Sequence, residues 1–142
     1  MILCDVNVLV YAHRKEVENH AEYRNWLEST VNSAEAFAVS ELVLSSFVRV
    51  VTHPRIFRYP SPIGDALAFA GQLLSPGNAV RVSPGSRHWE IFVGLCRDSA
   101  VKGSLVADAY FAALAMEFGC EWITTDRDFS RFKGLRWRHP LA

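Results

Sequence analysis

Ile2-Leu3-Cys4-Asp5-Val6-Asn7-Val8-Leu9 sets three apolar residues, an acid and a second apolar stretch in eight positions. Residues 2–4 read as a short buried strand, and Val6 to His13 as the apolar turns of a first helix. Asp5 stands at the joint. The same pattern returns near the other end, where the run Trp122-Ile123-Thr124-Thr125 is closed by Asp126. If the two runs are neighbouring parallel strands, their C-terminal ends meet where open α/β sheets carry their sites.

Between these two strands the chain alternates. His20 to Asn32 has a helical pattern, with Ala21, Trp26 and Leu27 as its predicted inner face. Phe37-Ala38-Val39 is a short strand candidate. Ser40 is placed to cap a helix that runs to His53, where Pro54 stops it. Arg55 to Pro62 holds two prolines and reads as a loop. Ile63 to Leu74 is a helix with a stripe of Leu67, Ala70 and Leu74, ended by Pro76-Gly77. Ala79 to Val82 suits a strand, and Arg87 to Arg97 an amphipathic helix. Ser104 is the predicted cap of a helix that continues to Phe118, with Gly119 ending it. Leu135-Arg136-Trp137 suggests one more strand. Strands alternating with helices predict an α/β fold with a parallel sheet flanked by helices.

The chain has 142 residues, half of them hydrophobic and 21% charged. That composition excludes a disordered chain and predicts a single domain with a real core. The longest apolar run, Ala109 to Met116, is far short of the ~20 residues that span a bilayer. The opening residues lack the basic and apolar regions of a signal peptide, so the expected setting is cytoplasmic, with no membrane partner. Cys4, Cys96 and Cys120 form no C-x-x-C pair, and no histidine stands at a zinc-finger spacing from them. They read as buried reduced thiols.

Two more acids complete the pattern. Glu41 follows Ser40 at a helix start, and Asp108 is the only charge between Lys102 and Glu117 in an alanine-rich helix. Each of the four has an ordinary alternative role. Asp5 and Glu41 suit helix N-termini, and Asp108 can lie on a wet face. Together, Asp5, Glu41, Asp108 and Asp126 are four acids at four element boundaries, with Asp128 close behind as an auxiliary. Unpaired carboxylates that share a cleft repel one another unless a hard cation lies between them. The prediction is a Mg²⁺ or Mn²⁺ site, and phosphodiester chemistry is its commonest use.

Net charge is zero, with 15 acidic and 15 basic residues. Setting aside the five candidate site acids leaves an excess of five positive charges elsewhere, and 12 of the 15 cations are Arg. Arg127, Arg131, Lys133, Arg136 and Arg138 gather in the last sixteen residues, and Arg49, Arg55 and Arg58 form a smaller group. A negative pit with a basic rim suits a metal-dependent nuclease, the rim holding phosphates. Loops around Arg14–Asn19 and Arg55–Pro62 are the expected seats of specificity, with Tyr59 and Trp137 as candidate stacking residues, though core packing is the commoner role for each aromatic.

The motifs resemble those of PIN-domain nucleases. Ile2-Leu3-Cys4-Asp5-Val6-Asn7 matches their hydrophobic strand followed by Asp-x-Asn. Ser40-Glu41-Leu42 and its helix, ending Thr52-His53-Pro54, resemble the second motif. Asp108-Ala109-Tyr110-Phe111 resembles the third, and Thr124-Thr125-Asp126-Arg127-Asp128-Phe129 the fourth. The likeness extends from residue 2 to about 138, and in size and wording the motifs look like those of VapC toxins of type II toxin–antitoxin modules. The resemblance implies a PIN domain over residues 1–142 and an endoribonuclease using one or two metal ions. It implies Asp5, Glu41, Asp108 and Asp126 as ligands, with Asn7 and Thr124 as polar supports and Asp128 auxiliary. It further implies a VapB-type antitoxin that covers the cleft, and a homodimer.

Three other classes compete. A haloacid-dehalogenase-type phosphatase also opens on a strand and Asp-x-Asp, but Asn7 stands where its general acid belongs. A response-regulator receiver needs a Lys after a late strand, whereas Lys102 precedes a helix. A non-catalytic module that binds RNA or an antitoxin is the third, and the complete acid set argues against it.

Overall fold

The computed structural model describes residues 1–142. Its elements in order are β1 (Ile2–Cys4), α1 (Val6–His13), α2 (His20–Val31), β2 (Phe37–Val39), α3 (Glu41–Val51), α4 (Ile63–Leu74), β3 (Ala79–Arg81), α5 (His88–Asp98), α6 (Ser104–Glu117), β4 (Glu121–Ile123) and β5 (Trp137–Arg138), with a 3₁₀ turn at Arg127–Arg131. The five strands form one sheet of order β3-β2-β1-β4-β5, with every pairing parallel. The predicted α/β fold, a parallel sheet flanked by helices, is the one observed.

Leu3 pairs with Ala38 on one side and Trp122 on the other. The central strands are apolar on both faces because helices cover both, as buried parallel sheets require. Trp122 is fully buried, packed between Phe111 and Phe129 at ring distances of 5.8 and 5.4 Å. Its indole Nε1 is the one buried side-chain polar atom without a hydrogen-bond partner.

The strand order reverses at β1. From β1 the chain builds outward through β2 to β3, then returns to place β4 on the other side. The crevice between the C-terminal ends of β1 and β4 is therefore a topological switch point, the usual seat of a site in such a sheet.

Several element details differ from the sequence-based expectation. The inner face of α2 is Tyr23 and Leu27, one helical turn apart, while Trp26 is half-buried and Ala21 is exposed. In α4 the buried stripe is Ala66, Ala70 and Leu73, and Leu67 is 56% exposed. Phe69 explains the rotation: its ring packs on Phe47 and His13 at 5.0 and 4.9 Å. The large aromatic thereby takes the interface and turns Leu67 outward. The predicted helix to His53 ends at Val51, with Thr52 as its cap. Gly103, not Ser104, holds the N-cap position of α6 with φ 63°, and Ser104 is the first helical residue. The last two strands are each displaced slightly from the predicted runs: β4 ends at Ile123 and β5 begins at Trp137.

Candidate active site

Asp5 stands one residue past β1, and its N–H still donates to the Ile123 carbonyl at 2.8 Å, extending the β1–β4 ladder. This fixes the aspartate beside Thr124. The Asp5 carboxylate caps α1, accepting from the Val6 N–H at 2.6 Å. It also accepts from the Thr124 hydroxyl at 2.7 Å and the Asn7 amide at 3.2 Å. Asn7 Nδ2 reaches Thr124 Oγ1 as well, at 3.3 Å, and Asn7 Oδ1 accepts from the Thr125 N–H at 3.3 Å. Thr124 Oγ1 accepts in turn from the Asp126 N–H at 3.0 Å. The expected polar supports Asn7 and Thr124 thus stitch the end of β1 to the end of β4, and both are tied to Asp5.

Asp126 ends this loop and caps the 3₁₀ turn, its Oδ1 accepting from the Asp128 N–H at 2.9 Å. Asp108 comes from the first half of α6, half-buried, with no hydrogen-bond donor on its carboxylate. Burial pushes the Asp5 carboxyl up to about 6, against the pull of the Thr124 and Val6 hydrogen bonds, and the charges of Asp108 and Asp126 add to the rise. Asp108 is raised by burial and by the charges of Asp126 and Asp128, with Arg131 opposing. Three elements therefore bring Asp5, Asp108 and Asp126 into one electrostatic group, with Asp128 at its edge.

Glu41 is not in that group. It begins α3, its side chain is 73% exposed, and it faces Arg81 at the end of β3 at 3.7 Å. The basic stretch divides too. Arg127, Arg131 and Lys133 are exposed on or just after the 3₁₀ turn, whereas Arg136 and Arg138 line a cleft with Met1, Ile2 and Glu121, where β1 and β4 begin. There Arg138 Nε pairs with Glu121 at 2.9 Å, and Arg136 donates to the Gly119 carbonyl at 2.7 Å. Sequence spacing grouped these five, and the turn at Gly134 separates them. Arg81 was the partner missed, because nothing in the sequence ties the end of β3 to the start of α3.

None of the four ion pairs in the structure involves Asp5, Asp108 or Asp126. No three His, Cys, Asp or Glu side chains already close on one point as a metal cage. The fit to a divalent ion rests on donor chemistry: hard carboxylate oxygens that no ion pair engages suit Mg²⁺ or Mn²⁺ rather than zinc. Burial and the Asp5 charge push the neighbouring Cys4 thiol up to about 12.

Comparison with known proteins gives the family and the fold. Residues 2–135 match the family model of the PIN domain. The chain is 45% identical over 141 residues to the ribonuclease VapC43 of Mycobacterium tuberculosis, covering 99% of this chain and 96% of that protein. In fold it is similar to VapBC2 from Rickettsia felis, crystallised on a promoter DNA fragment, with a TM-score of 0.71 at 19% identity over 98% of both chains. It is also similar to VapC20 of M. tuberculosis, described as a sarcin–ricin loop cleaving toxin, with a TM-score of 0.63 at 18% identity over 92% of this chain and 93% of that one.

Proposed function

The chain belongs to the PIN-domain family, among the VapC ribonucleases, and from that premise we propose that it is a metal-dependent endoribonuclease, the toxin of a toxin–antitoxin pair. We read residues 1–142 as one PIN domain. The observation that carries the proposal is the group of Asp5, Asp108 and Asp126 at the β1–β4 switch point, three interacting acids that no ion pair engages.

In this reading Asp5, Asp108 and Asp126 hold a Mg²⁺ or Mn²⁺ ion. When bound, the ion lowers the pKa of water and stabilises charge developing on a phosphate. The chain's own contribution is orientation. Thr124, Asn7 and the Val6 N–H hold Asp5 in one pose, the kind of support that keeps a ligand aimed. The Asp128 N–H does the same for Asp126. Asp108 has no donor of its own and is the acid free to take up a new contact. Glu41, exposed and tied only to Arg81, is assigned the outer role: orienting the attacking water or completing a second ion site. Arg127 and Arg131 beside the acids are the nearest cations for RNA phosphates.

The partners follow from the same premise. A VapB-type antitoxin would cover the cleft and supply a basic side chain as counter-charge, and a homodimer is the expected assembly. No helix is long and apolar enough to cross a membrane; we place the protein in the cytoplasm, with its RNA.

The test is cleavage of total cellular RNA by purified wild type and Asp126→Asn, with Mg²⁺, Mn²⁺ and EDTA compared. Discrete fragments from wild type alone, lost in EDTA, are expected, and the variant should be slower by on the order of 10²-fold or more, as when a preorganised electrostatic group is removed. RNA binding by folded protein without metal-dependent cleavage would favour the non-catalytic module instead.

A further inference from the structure

Both helices that begin at the acids end at a second cleft. α1 starts on Asp5 and finishes at His13; α3 starts after Ser40 and finishes at Val51. The segments that follow them, around Arg14 and around residues 54–62, are bound to each other. Arg14 is 8% exposed, and its Nη2 donates to the Tyr59 carbonyl at 2.7 Å, its Nη1 to Ser61 Oγ at 3.0 Å and its Nε to Glu16 at 2.7 Å. The guanidinium also lies 4.2 Å from the centre of the Phe57 ring. Ser61 is held from two more sides, by His13 Nε2 at 3.0 Å and by its own N–H to the Val51 carbonyl at 2.8 Å.

Burying a guanidinium is costly, and here it is spent on fastening a surface loop. The fastened loop then presents apolar surface to water. Tyr59 is 74% exposed and Ile56 51%, and the Arg58 guanidinium sits over the Tyr59 ring at 5.4 Å. The cleft between the two segments has a volume of about 630 Å³. Its charged lining is Arg14, Lys15 and Arg58 against Glu16 alone, and Glu16 is already engaged by Arg14. A rigidly mounted, solvent-facing aromatic backed by an arginine, in a cleft with excess positive charge, has the parts of a stacking platform for an unpaired base. The cation excess favours a polyanion over a peptide.

We propose that this cleft is a second RNA-binding subsite, in which Tyr59 and Arg58 stack an unpaired base of the substrate and Lys15 meets a neighbouring phosphate. The proposal rests on the ribonuclease reading above and adds to it a requirement on the substrate. α1, which starts on Asp5, is eight residues, so the subsite lies roughly 12 Å along that helix from the acids at 1.5 Å per residue. The RNA must therefore extend well beyond the bond that is cut.

The experiment uses the full chain carrying Asp126→Asn, with a fluorescein-labelled oligouridine long enough to span both clefts, and reads Kd by anisotropy. Adding Tyr59→Ala should weaken binding at least about fivefold, the low end of the worth of one base stack, while Tyr59→Phe should keep it. The exposure of Tyr59 makes both variants safe for folding, which circular dichroism would verify. Photo-crosslinking with a 4-thiouridine-containing RNA should map to residues 55–62. An unchanged Kd in Tyr59→Ala overturns the subsite whatever the crosslink shows, including the case in which a protein partner uses the cleft. Wild-type cleavage of total RNA is run in parallel. If it fails while Tyr59→Ala still weakens binding, the ribonuclease reading falls and the subsite stands; if it succeeds with the Kd unmoved, the reverse holds.

Discussion

Asp5 does two jobs that conflict. As a helix cap it is stabilising, and as a buried carboxylate facing Asp108 and Asp126 it is costly to ionise. Its carboxyl is raised from 3.8 to about 6, so the folded state holds this proton more tightly than the unfolded one. The contribution to stability is thus full below pH ~4 and lost as pH rises to ~6, a change on the order of 3 kcal/mol. Asp5→Asn removes the titration. In EDTA, the stability of the variant relative to wild type should improve by that order between pH 4 and pH 7, measured by urea unfolding; a pH-independent difference would show that the carboxylate is not strained. Mg²⁺ binds the ionised form, so at limiting Mg²⁺ wild-type cleavage should fall as pH drops through about 6, and saturating Mg²⁺ should move that limb to lower pH. Asp5 was readable from the sequence because it ends an apolar strand and opens a helix, the place where α/β sheets carry their sites, although capping alone also accounts for an acid there. The Thr124 bond that holds it was readable only as proximity, since the sequence gives no register between two three-residue strands.

At the scale of elements, punctuation was more readable than faces. Ser40 caps α3 by accepting from the Leu42 N–H at 3.2 Å, as its position before Glu41 suggested. Gly119 ends α6 with φ 64°, and the Cys120 and Gly119 N–H groups donate to the carbonyls of Ala115 at 2.8 Å and Met116 at 3.2 Å, a paired motif that satisfies two carbonyls at the helix end. A Cβ at Gly119 would meet nothing within 4 Å, so Gly119→Ala tests backbone conformation alone. It should cost about 1 kcal/mol and lower Tm by several degrees with RNA cleavage retained, as read by calorimetry and the total-RNA assay. A Tm equal to wild type would mean the left-handed turn is not needed there. Which side of α2 or α4 turned inward was not readable, because both carry apolar residues on two overlapping stripes. Tyr23 and Phe69 choose between the stripes only through partners distant in sequence, Tyr11 at 5.2 Å and Phe47 at 5.0 Å. Ser104 misled for a related reason: Gly103, one residue earlier, already makes the turn with a positive φ.

For the whole molecule, zero net charge says little about what it binds, because the fold sorts the charges. The order β3-β2-β1-β4-β5 gathers Asp5, Asp108 and Asp126 at the C-terminal ends of the central strands β1 and β4 and leaves Glu41 to one side with Arg81. Sequence reasoning singled out Asp5, Glu41 and Asp126 at element boundaries and Asp108 as the only charge between Lys102 and Glu117, which the structure places inside α6; it had no means of telling that Glu41 would face a cation on a strand still to come. The same sorting splits the C-terminal basic stretch. Arg131 lies close enough to Asp108 to lower its carboxyl, and Arg127 is exposed on the same turn. Arg136 and Arg138 line the cleft where β1 and β4 begin, already donating to Gly119 and Glu121. If RNA lies at the acid ends of the strands, only the first pair should count in its salt dependence. Single-stranded RNA releases about 0.7 counterion per phosphate neutralised. In the Asp126→Asn background, Arg127→Ala with Arg131→Ala should therefore flatten the slope of log K against log salt by about 1.4, while Arg136→Ala with Arg138→Ala should leave the slope nearly unmoved. Equal loss from both pairs, measured by anisotropy across a salt series, would mean that RNA reaches both ends of the strands and that the division seen in the fold does not govern binding.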